Sequence, residues 1–293
     1  MIDASLVSGL QDRYVLEEGG DVDEDRIVRQ AGSLLVDPRV RSVPWRDLVT
    51  LRPAERLREL LLPLPWLLLA FLAARSSLWV LALAGSFYFF LTGLRLVHDV
   101  FHGNLGLRAW GNDVVLLVLS VLMLGSMHAV RLTHLQHHRD CLGPDDVEGG
   151  TARRGAGGAL LWGVIFPVQL HLGALRLANP RQLRWIVAEL MLSGVWVAAI
   201  LAVRHPALSY HVAAMALGQT LTGFFAVWTV HHDCDRWQQI ARTLRHRLKS
   251  AVSFGMFYHL EHHLFPRVPT CRLPTLAQRL DQGIPELPRK QVF

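Results

Sequence analysis

The 293-residue chain has few cysteines, little charge and no stretch typical of a secretion signal. Its three cysteines, Cys141, Cys234 and Cys271, form no C-x-x-C pair and are odd in number, which argues against a disulfide framework and favours a reducing compartment. Residues 1–20 contain neither a basic nor an apolar region, so we expect no cleaved signal. The net charge of +6 comes from scattered arginines rather than one basic stripe, which argues against nucleic-acid binding.

Apolar sequence is abundant: 51% of the residues are hydrophobic, too many for an ordinary soluble protein. Four apolar runs are predicted to be membrane-spanning helices. They form two hairpins, 60–74 with 78–97 and 186–203 with 207–230, each joined by a short turn that contains an arginine. Since a hairpin returns the chain to its starting side, both hairpins deliver the segments that follow them to one face of the membrane.

Two further apolar runs, 114–130 and 159–177, are interrupted by polar residues. A straight crossing by the first would place His98 and His134 on opposite faces of a hydrocarbon layer ~30 Å thick. We therefore predict that the first run is re-entrant or interfacial and that the second is interfacial. The expected fold class is all-α and integral to the membrane, with four transmembrane helices in two hairpins, interfacial or re-entrant helices and a cytoplasmic histidine-rich cap.

Composition divides the chain into three parts. Residues 1–55 are predicted to be a polar N-terminal cytoplasmic segment, in which an acidic run between positions 17 and 25 indicates a solvated or partly ordered tail. Residues 56–285 form the membrane domain, and residues 286–293 form a C-terminal tail. Basic residues are densest in RTLRHRLK at 242–249, so the excess of positive charge in cytoplasmic loops places the histidine-rich face in the cytoplasm.

Eight of the fifteen histidines form three motifs at the ends of predicted helices. The motifs are HDVFH at 98–102, HLQHH at 134–138 and HLEHH at 259–263. Residues three or four apart share a face of a helix, so each motif presents converging imidazoles. Imidazole binds iron, zinc and copper, and eight imidazoles are too many for one tetrahedral zinc with four ligands. The motifs therefore predict two metal ions.

In order and separation, these motifs resemble the histidine boxes of the membrane fatty acid desaturase superfamily, which also contains acyl hydroxylases and carotenoid hydroxylases and ketolases. The resemblance covers roughly residues 60–280, and HHLFP at 262–266 is most similar to the acyl-lipid desaturases. It implies a non-haem centre of two iron ions and a further histidine ligand before the third box. His231 stands where that ligand is expected, and His232 is its rival.

The metal ligands implied by the resemblance are His98, His102, His134, His137, His138, His231, His259, His262 and His263. No separate acid or base residue is proposed, because the di-iron centre itself carries the chemistry. Iron with several nitrogen ligands and open positions can use O2 to remove hydrogen from an unactivated C–H bond. We therefore expect an O2-dependent oxidoreductase that introduces a double bond into a fatty acyl chain of a lipid.

Alternatives within the same chemistry are a hydroxylase or ketolase of a fatty acyl chain, a carotenoid or another lipid. More distant alternatives are a zinc-dependent membrane hydrolase, whose metal usually has three protein ligands, and a metal transporter, whose histidines should follow a transmembrane path. The chain has no H-P-G-G motif of a fused cytochrome b5 domain. Electrons are therefore expected from a separate ferredoxin or cytochrome b5-like donor with its reductase.

Carboxylates near the boxes are candidates for orienting the imidazoles: Asp99, Asp145, Asp146, Asp233, Asp235 and Glu261. Cys141 and Cys234 also neighbour the boxes, but nitrogen donors are sufficient without them. Glu189 lies three residues inside its predicted span, so we expect its side chain to reach back to the membrane border. Packing or interface roles are expected for His128, His171, His205, His211 and His246.

Overall fold

The computed structural model describes residues 33–292, so the acidic run between positions 17 and 25 lies outside the described residues. The helices are α1 Pro38–Ser42, α2 Pro53–Leu61, α3 Leu64–Arg75, α4 Trp79–Phe101, α5 Ala109–Met123, α6 Met127–Arg139, α7 Ala156–Trp162, α8 Phe166–Leu177, α9 Pro180–Val203, α10 Pro206–Thr222, α11 Thr229–His231, α12 Arg247–Val252, α13 His259–Leu264 and α14 Leu273–Gly283. Within this part of the chain, the one sheet pairs two-residue strands in parallel, β1 Arg242–Thr243 and β2 Lys290–Gln291. The prediction of an essentially all-α chain is confirmed.

Four helical segments are long and apolar enough to cross a membrane: Pro53–Arg75, Trp79–Phe101, Pro180–Val203 and Pro206–His231. The first joins α2 to α3, and the last runs from α10 through a π-helical segment into α11. These four candidate spans include the four apolar runs that hydropathy picked out.

The outward faces of the helices carry large apolar side chains. Val80 is 87% exposed, Leu161 80% and Met191 65%. Apolar surface of this kind is stable against hydrocarbon and costly against water, while the backbone hydrogen bonds are satisfied inside each helix. The chain is therefore an integral membrane protein.

The two interrupted apolar runs form bent helix pairs instead of straight spans. The axes of α5 and α6 differ in direction by 109°, and those of α7 and α8 by 69°. Leu124, at φ 61°, leaves α5 in the left-handed conformation, and Ser126 begins a new helix two residues later. As predicted, the run 114–130 does not cross the membrane as one straight helix.

Residues 33–51, in the segment whose composition suggests a solvated or partly ordered tail, pack into the cap. Val40 and Leu48 are buried in one core with Leu264 and Leu276, and the rings of Trp45 and Phe265 lie 5.5 Å apart. This segment is therefore ordered, because its few apolar residues find partners that are more than 200 positions away in the sequence. This core surrounds α13, which carries the third histidine motif.

Candidate metal centre

The first histidine pair lies where α4 ends. His98 is in the last turn of α4, and His102 directly follows its last helical residue, Phe101. Gly103, with φ 68°, then takes the left-handed conformation that glycine adopts without strain at the end of a helix. Because the two histidines are four residues apart, they lie on one side of the helix, with ring centroids 5.2 Å apart.

The second motif occupies the last two turns of α6. Ser126 caps the start of this helix, and its Oγ accepts a hydrogen bond from Ala129 N at 3.1 Å. The bend before this cap turns α6 toward the end of α4. The ring centroids of His98 and His134 are consequently 4.9 Å apart, so the first two motifs meet at the same end of the bundle.

The third motif forms the short helix α13, whose three histidines are buried. The additional histidine comes from α11, directly after the π-helical segment Gly223–Trp228. Such segments are frequent at functional sites, because an extra residue in a helical turn changes where the following side chains point. His231 Nε2 lies 2.9 Å from His259 Nε2. The ring of His232 instead stacks on Trp228, with centroids 4.0 Å apart. Of the two rivals, the structure brings His231 to the motifs.

The nine histidines form two adjacent groups. The first group contains His98, His102, His134, His138 and His262. The second group contains His137, His231, His259 and His263, with Cys141 beside them. The stacked rings of His138 and His263, with centroids 4.4 Å apart, join the two groups.

In the first group, the Nε2 atoms face one another. His134 Nε2 lies 3.1 Å from His102 Nε2 and 3.2 Å from His138 Nε2, and His138 Nε2 lies 2.8 Å from His262 Nε2. Both ring nitrogens of His98 are buried and have no hydrogen-bond partner among the described residues. A buried, unpaired imidazole is costly unless another partner satisfies it.

In the second group, two ring nitrogens face each other. His137 Nδ1 lies 2.7 Å from Asp146 Oδ2, and His231 Nδ1 lies 2.9 Å from the carbonyl oxygen of Ile240. Both of these oxygens accept, so each Nδ1 carries the donated hydrogen. The two Nε2 atoms lie 3.1 Å apart. Burial opposes a charge on His137, but Cys141 and the hydrogen bond to Asp146 hold its pKa well above the usual value, and either a proton shared by the two Nε2 atoms or a bound metal ion makes their contact favourable.

A metal ion fits this donor set. Two nitrogens bound to one ion at about 2.1 Å and at a right angle to each other lie about 3.0 Å apart. The Nε2 pairs of both groups span 2.8 to 3.3 Å. The facing ring nitrogens and the unpartnered His98 therefore match two groups of imidazole ligands, each around its own cation.

Burial keeps most of these rings in the form that a metal needs. Desolvation, together with the neighbouring imidazoles, holds the pKa of His138 and of His262 well below the usual value. Burial and His134 act in the same direction on the pKa of His102. A neutral imidazole has a free lone pair, so these rings can bind a cation without first losing a proton.

Two carboxylates orient rings of the second motif. Asp146 accepts from His137 as described, and Glu148 Oε1 lies 3.1 Å from His134 Nδ1. Burial opposes the ionisation of Asp146, but hydrogen bonds from His137 and from the backbone N–H groups of Gly149 and Leu142 hold the pKa of its carboxyl below the usual value. Sequence proximity predicted Asp146. It missed Glu148, although the loop DDVEGG places Glu148 only two residues further on.

The other candidate carboxylates bind elsewhere. Asp99 accepts from Thr270 N and Thr270 Oγ1 at 3.0 Å, which ties the end of α4 to the segment after α13. Glu261 accepts from Thr243 Oγ1 at 2.7 Å and pairs with Arg245. Asp145 is exposed. Asp233 pairs with Arg242, and Asp235 accepts three backbone N–H groups of the loop that follows it.

Glu189 is fully buried and does not reach back to the membrane border, so that expectation is wrong. Its carboxylate accepts from Ser126 Oγ at 2.6 Å and lies 2.6 Å from His128 Nδ1. The other ring nitrogen of His128 lies 3.3 Å from Asp113, and the ring stacks on Trp185. These contacts tie α9 to the first residues of α6 and so fix the bend that brings the second motif to the first.

The fold and this centre together define an integral membrane protein with a histidine-rich site that fits metal ions. A family model for fatty acid desaturases matches residues 73–292, and the chain belongs to that family. This confirms the resemblance drawn from the three motifs, and it implies an oxidoreductase that acts on a lipid. Searches of curated proteins and of solved structures found no match.

Proposed function

We propose that this chain is a membrane di-iron oxygenase that uses O2 and electrons from a separate donor to introduce a double bond into a fatty acyl chain of a lipid. The observation that carries the proposal is the division of nine histidines, in a member of the desaturase family, into two adjacent groups. Two ions, one in each group, match the two-electron chemistry of hydrogen removal better than one tetrahedral zinc site does.

The histidines hold one iron in each group, and the chemistry that the iron supplies is reductive activation of O2 for hydrogen removal from an unactivated C–H bond. Asp146, Glu148 and the Ile240 carbonyl keep Nδ1–H on their three rings, so that Nε2 faces the ion. The surrounding buried residues exclude water from the second group, which protects a reactive site from side reactions.

Access to the centre differs between the groups. His98, His102 and His138 are partly exposed, whereas His137, His231, His259 and His263 are buried. The reacting part of the acyl chain therefore approaches from the side of the first group. The basic loop 242–249 supports a cytoplasmic position for this face, where a soluble or membrane-bound ferredoxin or cytochrome b5-like donor can deliver electrons.

The test is mass spectrometry of total lipids from cells that express the wild type, His137→Ala or His232→Ala. We expect a lipid lighter by two hydrogens with the wild type and with His232→Ala, whose ring lies outside both groups, but not with His137→Ala. A lipid heavier by one oxygen in the same pattern would make the chain a hydroxylase, and one that gains an oxygen while losing two hydrogens would make it a ketolase. Equal amounts of product from the wild type and both variants would refute the assignment of the centre.

Iron content must follow the same pattern. We expect purified wild type and His232→Ala to contain about two irons per chain, and His137→Ala to contain less, as counted from the two ligand groups. Zinc instead of iron, without dependence on O2, would support the hydrolase alternative.

A further inference from the structure

The two ligand groups are unequal in their nitrogen donors. Five imidazoles surround the first position and four surround the second. The thiol of Cys141 lies within the second group, where its Sγ is 3.9 Å from His137 Nε2. The sequence alone gives no reason to include this cysteine, because nitrogen donors are sufficient in number.

The position of Cys141 is set by the groups that orient the histidines. It lies two residues after the end of α6, where the chain turns so that its Sγ comes within 3.9 Å of His137 Nε2. Asp146 Oδ2, which accepts from His137, also accepts from the backbone N–H of Leu142 at 2.8 Å. Leu142 has φ 57°, a conformation that costs a non-glycine residue energy. One carboxylate oxygen therefore holds both the ring of His137 and the strained turn next to Cys141.

A second contact places the thiol of Cys141 next to the backbone group that holds His231. Cys141 Sγ lies 3.9 Å from the carbonyl oxygen of Ile240, the same oxygen that accepts from His231 Nδ1. This distance is at the outer limit for a hydrogen bond from sulfur, so the contact with the carbonyl holds the thiol only weakly. The sulfur consequently lies near both His137 and His231, the two rings whose Nε2 atoms face each other.

The distances allow the sulfur to reach an ion held by these rings. A sulfur at about 2.3 Å and a nitrogen at about 2.1 Å from one ion lie about 3.1 Å apart at a right angle and about 4.4 Å apart when opposite. The observed 3.9 Å between Cys141 Sγ and His137 Nε2 falls between these limits. The donor atoms of Cys141, His137, His231 and His263 all lie within 4.8 Å of one another.

We propose that Cys141 contributes its thiolate as a further donor of the second position, where its Sγ lies within 4.8 Å of the donor atoms of His137, His231 and His263. The inference rests on the proposed metal centre and refines it. Binding of the ion releases the thiol proton to solvent and leaves the metal–sulfur bond in its place. The second position would then have a soft, negatively charged donor, whereas the first would have only neutral imidazoles, so the two sites would differ in net charge and in reduction potential.

The test is X-ray absorption at the iron edge on the full-length protein purified with its iron in detergent, for the wild type, Cys141→Ser and Cys271→Ser. Cys271 is a matched control, because it is also partly buried but lies outside both groups, and burial raises the pKa of its thiol to about 12. We expect a sulfur neighbour at about 2.3 Å in the wild type and Cys271→Ser, and its loss in Cys141→Ser. Iron content is measured on the same samples.

The outcomes separate this inference from the proposed function. Iron with only nitrogen and oxygen neighbours in the wild type would overturn the inference and leave the di-iron proposal intact. Zinc with a sulfur neighbour that depends on Cys141 would support the thiolate and overturn the di-iron proposal. A protein that binds no metal would overturn both. The wild-type spectrum alone decides whether sulfur is bound, so the test does not depend on the folding of Cys141→Ser.

Discussion

His137 and His231 direct their Nε2 atoms at each other across 3.1 Å, because the Nδ1 of each ring is held by an acceptor elsewhere. Without a metal ion, these two nitrogens need a shared proton, and the buried nitrogens of His98 have no partner among the described residues. With a cation, the same atoms become ligands. A bound metal therefore also stabilises the packing of the four chain segments that carry the histidines.

Metal removal should accordingly destabilise the protein. A ligand that binds only the folded state at 100 times its dissociation constant stabilises that state by about 2.7 kcal/mol. We expect a chelator to lower the Tm of the detergent-purified protein by about 5 °C or more, and iron to restore it. His137→Ala should start with a lower Tm and respond less to the chelator. An unchanged wild-type Tm in protein shown to have lost its metal would contradict this account.

Asp146 and Asp145 are adjacent in sequence and differ in role, which makes them a matched pair. Asp146 is buried and accepts from His137 and from two backbone N–H groups, whereas Asp145 is exposed. An amide in place of the carboxylate weakens the hold on Nδ1–H and allows the wrong tautomer. We expect Asp146→Asn to lower metal affinity by about 10- to 100-fold, as partners of ligating histidines generally do.

Competition against a chelator of known affinity measures this effect. Asp145→Asn should bind metal as the wild type does. Equal affinities for the two variants would mean that the Asp146 contact does not orient His137.

Hydropathy and residue spacing predicted those features of the protein that depend on a single segment of the sequence. Hydropathy gave the four spans, and spacings of three and four residues placed each motif on one side of a helix. The choice of His231 over His232 depended instead on the π-helical segment Gly223–Trp228, which no side-chain period in the sequence marks. The carbonyl of Ile240 offered no signal either, since every residue has a backbone oxygen.

Long-range partners account for two features that local pattern did not predict, the buried Glu189 and the packed segment 33–51. An ionisable residue near the end of an apolar run is expected to reach water, but Glu189 meets Ser126 and His128, more than 60 positions earlier in the chain. The segment 33–51 is too polar to form a core by itself, and it becomes ordered against α13 and α14. Both outcomes depend on tertiary contacts that the composition of a single segment does not contain.

Removal of the Glu189 carboxylate should loosen the bend between α5 and α6. Each buried donor left without an acceptor costs roughly 1–3 kcal/mol, and Glu189→Leu leaves Ser126 Oγ, His128 Nδ1 and the backbone N–H of His128 without theirs. We expect this variant to lose about 5 °C or more in Tm and part of its metal. Glu189→Gln keeps an acceptor oxygen in the same place and should lose less. Equal losses would indicate that the charge, rather than the hydrogen bonds, stabilises the bend.

Gly163 directly follows α7 and packs against the backbone of α10. A Cβ at this position would overlap the carbonyl oxygen of Thr220, a backbone atom that cannot rotate away. Gly157, in the first turn of α7, faces open space instead. Gly163→Ala should therefore push α10 away and destabilise the protein by about 1–3 kcal/mol, as overpacking does. Gly157→Ala should be neutral or stabilise it by up to about 1 kcal/mol through helix propensity.

The comparison also tests the path from this contact to the metal centre. Thr220 lies three residues before Gly223, the first residue of the π-helical segment, and that segment ends just before α11, which carries His231. A displaced α10 moves His231 out of reach of His137 and His259, so Gly163→Ala should also lower metal content. Thermal unfolding and metal analysis of the two alanine variants measure both effects. A Gly163→Ala protein that is destabilised but fully loaded with metal would show that the second ligand group keeps its geometry independently of α10.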